Sequence, residues 1–177
     1  MAAIANKKVL LFSTAYKETT PLELVTATLS DFGAYLVTIE YMTPFNQESD
    51  TTSSVNTKLS LNLKNKKIRD FVLNEIVPRV DIILESYRPG VMERFGLSPA
   101  TVHSVNPAVI YVRVSGYGNS IKSIDQIGTA GRDLNYLAAS GILSKFRRSG
   151  NQQAPVVPAN ILSYYASGSI YIITILL

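Results

Sequence analysis

The sequence predicts an α/β domain built on an open parallel sheet with helices on both faces. Three observations carry that expectation. Segments that read as strands alternate with segments that read as helices at intervals of roughly 25 residues, the spacing of strand–helix–strand units. Several strand candidates are short apolar runs, as in strands buried on both faces. The helix candidates carry start and stop residues at the right places.

The first strand is expected at Lys7–Thr14 (KKVLLFST). A helix follows over Thr20–Phe32, with Pro21 at its start, apolar Leu22, Leu24, Val25 and Leu29, and Gly33 at its stop. Ala34–Glu40 (AYLVTIE) reads as the second strand, and Tyr41–Thr57, rich in Ser, Thr, Asn and Asp, as a surface loop. Lys58–Leu63 (KLSLNL) alternates with period two and predicts a half-buried strand. A helix with a basic start spans Asn65–Val77 and stops at Pro78. Val80–Ser86 (VDIILES) is a buried strand broken by Arg88-Pro89-Gly90, and Val91–Phe95 resumes as helix. Ser98 caps a further helix with Pro99 at its first position, ending near Asn106-Pro107. Val109–Ser115 (VIYVRVS) is a strand closed by Gly116-Tyr117-Gly118. Ligands of such sheets bind beyond the carboxyl ends of the strands, so the candidate ligand loops are Ser13–Thr20, Tyr41–Thr57, Tyr87–Gly90 and Ser115–Gly131.

The 177 residues suffice for one domain with a core, and 46% hydrophobic against 17% charged residues excludes a disordered chain. Without cysteine there is no disulfide framework and no thiolate chemistry. The net charge of +4 suits an anionic partner or simply a solvated cationic surface. The basic runs Lys64–Arg69 (KNKKIR) and Lys145–Arg148 (KFRR) occur without a binding motif or interleaved aromatics, so no nucleic-acid partner is expected. No residue set has metal-ligand spacing, and no metal is expected. The start of the chain lacks the long apolar run of a signal peptide. No charge follows Arg148, and residues 160–177 are nearly long enough to cross a bilayer; the competing reading is a buried helix in which Ser163, Ser167, Gly168 and Ser169 permit close packing.

The run Glu85-Ser86-Tyr87-Arg88-Pro89-Gly90-Val91-Met92-Glu93-Arg94-Phe95-Gly96-Leu97 leads a series of motifs. Asn106-Pro107, Ile110-Tyr111 and Ser115-Gly116-Tyr117-Gly118 follow it, and then Ala130-Gly131-Arg132-Asp133-Leu134-Asn135-Tyr136 through Ser144. In this order and spacing they resemble family III CoA-transferases (the CaiB/BaiF type), particularly the 2-methylacyl-CoA racemase branch. Asp31-Phe32-Gly33-Ala34 and Leu61-Asn62-Leu63-Lys64 are similar to weaker landmarks of that family. The resemblance implies a Rossmann-like large domain that binds acyl-CoA thioesters, a second smaller domain, and two interlocked subunits. On this reading residues 1–177 are the amino-terminal part of the large domain, the sheet is incomplete relative to the family, and the small domain is absent. The chain is then a truncated relative, with mitochondrial or peroxisomal location implied by the racemase branch and cytoplasmic location otherwise. Its ending, Ile175-Leu176-Leu177, is not a standard peroxisomal signal.

Racemisation beside a thioester carbonyl needs two acid/base groups, one on each side of the carbon, and donors for the enolate oxygen. The resemblance assigns these roles to a His before the Asp of a Gly-His-Asp motif and to an Asp on a later helix. Here Arg132 and Tyr164 stand at those positions. An arginine, with a pKa above about 12, cannot act as a base, and a tyrosine near pKa 10 needs about 4 kcal/mol of perturbation to serve at neutral pH. Nor can Tyr164 form the acyl anhydride that the transferase branch makes on a carboxylate. Asp133 is retained; by resemblance its role is supporting, and its plain reading is a carboxylate in a helix first turn. His103, the one histidine, matches no catalytic position.

No cofactor is expected to be covalently bound; a coenzyme A thioester is the implied substrate or ligand. Its phosphates need cations, for which Lys58, Arg88 and Arg94 are the site candidates, with Lys64 in reserve. Arg94 reads equally as a solvated helix residue. Gly116 and Gly118 permit close backbone approach to a ligand, or form a plain turn. Ser54, Val55, Asn56 and Thr57 stand where the family carries most of a basic cluster, and Thr38 where it often carries a base. The expected function is therefore an acyl-CoA-binding pseudoenzyme resembling an isomerase. The alternative is a non-catalytic remnant that binds a partner or is anchored in a membrane through its carboxyl end. Implied partners are acyl-CoA and a second subunit, as a homodimer or a heterodimer with a full-length paralogue.

Overall fold

The computed structural model describes residues 4–13, 21–41, 57–118, 131–146, 155–156 and 161–176. Among these the chain forms five strands: β1 (Lys8–Ser13), β2 (Tyr35–Tyr41), β3 (Thr57–Leu61), β4 (Ile82–Glu85) and β5 (Ile110–Arg113). All neighbouring strands pair parallel, in the order β3-β2-β1-β4-β5. This is the strand order of a Rossmann-like sheet. The chain runs outward from β1 through β2 to β3, then crosses back to start again at β4, leaving a switch point between β1 and β4.

Each helix follows from local signals. In α1 (Pro21–Asp31) the buried Leu22, Val25 and Leu29 form one stripe, and Gly33 (φ +86°) turns the chain into β2. In α2 (Lys66–Phe71) the Asn65 side chain accepts the Lys67 amide. The expected single helix to Val77 does not continue regularly. Pro78 has no N–H to give to the carbonyl four residues back, and its ring crowds that carbonyl. The chain widens into a π-turn over Val72–Ile76, where the Val77 amide reaches back to Val72 O, and tightens into a 3₁₀ turn at Val77–Arg79. The short α3 (Val91–Arg94) starts from Gly90 in a left-handed conformation (φ +84°). In α4 (Pro99–Val105) the Ser98 hydroxyl accepts the Thr101 amide at 3.2 Å. α5 spans Asp133–Ala139, and α6 (Ser167–Leu176) follows a π-turn over Ile161–Ala166.

Period-two alternation sends the strand side chains to two apolar layers. On one face Val9, Leu11, Leu36, Ile82, Leu84 and Val112 pack under α1 and α6. On the other, Leu10, Phe12, Ile39 and Ile83 pack with Val72, Val77, Met92, Leu97 and Val102. The expectation of a sheet covered on both faces holds. The expected strand at Lys58–Leu63 begins one residue earlier and ends at Leu61; Leu63 is buried in the turn that follows. The ligand-loop segments 14–20, 42–56 and 119–130 lie outside the described residues.

The carboxyl-terminal segment packs as a helix of the fold. Gly168 is buried against α1, where an added Cβ would lie 2.9 Å from Leu24 Cδ2 and 3.2 Å from Pro21 O. Ten residues of α6 rise about 15 Å, half the thickness of a bilayer's hydrocarbon core. No helix among the described residues is long and apolar enough to cross a membrane.

Candidate functional site

The switch point lies at the carboxyl ends of β1 and β4, Ser13 and Glu85, where the ladder ends with Phe12 opposite Glu85. The Tyr87 hydroxyl bridges it, donating to Ser13 O at 3.2 Å. The next residue is Arg88, exposed, on a turn closed by the Val91 amide to Arg88 O at 3.1 Å. The sequence-predicted Arg88 therefore stands where ligands of such sheets bind.

A second wall comes from β5 and α5. The Tyr136 ring lies on Gly116 and Gly131: an added Cβ would be 2.1 Å from Tyr136 Cζ at the first and 2.6 Å from Cε1 at the second. Its hydroxyl donates to Gly131 O at 2.8 Å, and its ring meets Tyr117 edge-on with centroids 4.9 Å apart. The open side of Gly116 is thus filled by the protein's own ring. At Gly118 an added Cβ would meet no atom of the described residues within 4 Å, and the residue takes φ +79°, a left-handed turn that favours glycine. Burial, with the neighbouring Tyr117, pushes the Tyr136 phenol above its usual range, while the guanidinium groups of Arg132 and Arg88 act in the opposite direction.

Arg132 precedes α5 as its N-cap. Its backbone amide donates to Asn135 Oδ1 at 2.9 Å, and its exposed side chain offers only donors. Asp133, half-buried, is the first residue of that helix. Tyr164 lies on the π-turn, which packs against both α1 and α5. Its ring meets Tyr165 edge-on at 4.9 Å. Burial, the Glu23 carboxylate and Tyr165 all push its hydroxyl upward, away from neutral pH.

The other predicted cations are dispersed. Lys58 lies on β3, three strands from β4, a separation of about 14 Å at the usual spacing. It pairs with Glu40 at 3.5 Å. Arg94 folds back along the Gly90 turn, with Nη1 3.7 Å from where a Cβ of Gly90 would be. His103 holds Val109 O at 3.1 Å through Nε2, a structural contact. Thr38 Oγ1 is buried with no hydrogen-bond partner among the described residues. No group of three or more His, Cys, Asp or Glu side chains there could hold a metal.

Sequence reasoning missed one cluster. Glu85 and Arg113 face each other on the last rung of the β4–β5 ladder, with Arg113 Nε 3.0 Å from Glu85 Oε1. The Nε–H does not point along that line, so the contact is ionic and Nε itself is buried without a hydrogen bond. Arg113 Nη2 donates to Glu93 of α3, and the guanidinium lies 5.6 Å from the Tyr111 ring centroid. Burial pushes the Glu85 carboxyl up to about 7 against the pull of Arg113 and the Tyr87 amide. The signal was present in VDIILES and VIYVRVS, where opposite charges occupy matching places after the apolar run.

Comparison with known proteins converges on one family. The family model described as CoA-transferase family III matches residues 5–177. Alpha-methylacyl-CoA racemase of Homo sapiens is 40% identical over 143 residues, covering 80% of this chain and 35% of the relative. A CaiB/baiF CoA-transferase family protein of Caenorhabditis elegans is 35% identical over 147 residues, covering 80% and 40%. Among solved structures, Rv3272 of Mycobacterium tuberculosis superposes with a TM-score of 0.74 at 25% identity, covering 97% of this chain and 48% of that one. A CAIB/BAIF family protein of Brucella suis gives 0.74 at 18%, a likeness of fold. The chain thus spans about a third of these curated relatives and about half of the solved ones. By its sequence and its sheet, this chain belongs to CoA-transferase family III.

Proposed function

We propose that the chain is an acyl-CoA-binding relative of 2-methylacyl-CoA racemase that has lost the proton-shuttling pair. One observation carries this reading: a donor-only guanidinium, Arg132, and a phenol, Tyr164, stand where the resemblance puts the two bases, and burial, Glu23 and Tyr165 hold that phenol above its usual range rather than below it. A base at neutral pH needs the opposite shift. Arg132, donor-only, can stabilise negative charge but cannot remove a proton. Asp133 supports it from the first turn of α5. Residues 1–177 then correspond to the amino-terminal part of the family's large CoA-binding domain.

Arg88 is the leading contact for the CoA phosphates, since it stands exposed at the switch point, on the turn that follows β4. Arg94 can join it from α3, and Gly118, with no side chain, can bring its backbone close to a ligand. Gly116 contributes by seating Tyr136. Lys58 would reach only the far end of an extended ligand. Calorimetric titration with a 2-methylacyl-CoA tests the reading. Saturable binding that weakens about tenfold in Arg88→Met is expected. Absence of binding to the intact chain would overturn it.

A second reading, a partner-binding chain, is favoured by α6, where Ile170, Ile173 and Leu176 are 63%, 56% and 40% exposed along one stripe. The partner would be a second copy or a full-length paralogue. Light scattering of the purified chain, alone and mixed with a full-length relative, separates monomer from either assembly.

A further inference from the structure

The turn that presents Arg88 is tied at both ends to one side chain. On the entering side, Glu85 ends β4, is 4% exposed, and accepts the Tyr87 amide through Oε2 at 2.9 Å. On the leaving side, Glu93 lies in α3, three residues after Gly90. Arg113 touches both carboxylates, one by the ionic contact at Nε and one by the hydrogen bond from Nη2. Arg113 is itself fixed. The ladder sets its backbone opposite Glu85, the Tyr111 ring lies beside the guanidinium, and the Tyr111 hydroxyl is held by Leu97 O at 3.1 Å.

The segment between the two carboxylates needs such a tie. Pro89 removes one donor, Gly90 takes a left-handed conformation, and α3 is a single turn of four residues. Its own backbone bonds are all local: Val91 N–H to Arg88 O, Arg94 N–H to Gly90 O and Phe95 N–H to Val91 O, each at 3.1 Å, and Gly96 N–H to Glu93 O and Leu97 N–H to Met92 O, each at 2.9 Å. A single-turn helix has little stability of its own. A planar guanidinium holding two carboxylates restrains it more effectively than an ammonium can.

We propose that Arg113 is the positioning residue of the acyl-CoA site: by holding Glu85 and Glu93 together it fixes the turn that presents Arg88, without touching the ligand itself. This rests on the reading of Arg88 as a phosphate contact. It predicts that removing Arg113 acts on ligand affinity only through Arg88.

The test combines amide hydrogen exchange with calorimetric titration of coenzyme A on the full chain. In Arg113→Met, exchange at Tyr87, Val91 and Arg94 rises at least about tenfold relative to the amides of β1, and the Kd for coenzyme A rises about tenfold. Arg113→Lys recovers part of both losses. The double variant Arg88→Met/Arg113→Met binds no more weakly than Arg88→Met alone. Glu93→Gln, at the surface, gives the same changes at smaller amplitude and serves if Arg113→Met does not fold. Unchanged exchange at Tyr87 and Arg94, or additive losses in the double variant, overturns the positioning role. Unchanged affinity in Arg88→Met, where the Arg113 tie is intact, overturns the ligand reading instead, so the two failures are separable.

Discussion

Replacing Glu85 with glutamine should remove a distinct pH dependence of stability. In the folded chain burial raises the Glu85 carboxyl from 4.5 to about 7, and Arg113 and the Tyr87 amide offset only part of that. At about 1.4 kcal/mol per unit, the shift corresponds to ~3 kcal/mol. Between these two values the folded chain holds a proton that the unfolded chain has released, so stability falls as pH rises. The contribution is fully present below pH 4.5 and is lost as pH passes through 7. Asp81 and Glu93 act in the opposite direction. Their carboxyls are held low, Asp81 chiefly by the Lys8 amide and Glu93 chiefly by Arg113, so what they contribute is present above their ordinary range and lost in acid. The two windows barely overlap. Urea unfolding followed by circular dichroism at pH 5 and pH 8 measures the effect. The native chain should lose roughly 2–3 kcal/mol more than the Glu85→Gln variant over that interval. Equal losses in the two proteins would refute the reasoning, because Glu85 would then not titrate differently on folding.

Two further substitutions test the close packing around the site. Gly116→Ala places a methyl 2.1 Å from Tyr136 Cζ, and that ring is pinned by Gly131 O and Tyr117, so a loss of about 1–3 kcal/mol is expected in thermal or urea unfolding. Adding Tyr136→Ala removes the clash, and the double variant should lose less than the sum of the single ones. Gly168→Ala presses on Leu24 and Pro21 O, which forces α6 away from α1; a loss of about 1–2 kcal/mol is expected, with faster amide exchange along α6.

The sheet was legible because its signals are local. Apolar runs at Lys7–Thr14 and Val80–Ser86 announce strands, and Ser98-Pro99 and Gly33 punctuate helices without reference to the rest of the chain. The π-turn after Phe71 was less so. Pro78 announced that the helix must stop, but whether the last turns widen or tighten depends on how Val72 and Val77 are buried. The Glu85–Arg113 contact needs inter-strand register, and the two residues are 28 positions apart. Nothing in either segment fixes which rung meets which until the strands are paired. Gly116 illustrates the same limit: glycine announces a close approach, but only the fold reveals that the approaching group is the ring of Tyr136. The motifs single out positions 132 and 164 only through the family resemblance, whereas the upward shift of Tyr164 depends on the placement of its π-turn against α1 and on Glu23.

The most direct test of the account is proton exchange at the carbon beside the thioester. The chain would be incubated with a single enantiomer of a 2-methylacyl-CoA in deuterium oxide at neutral pH, and deuterium at that carbon followed by NMR. The account predicts incorporation no faster than the uncatalysed background, with enantiomeric purity retained while the ligand is bound. Deuterium entering over many turnovers, together with inversion of configuration, would contradict it.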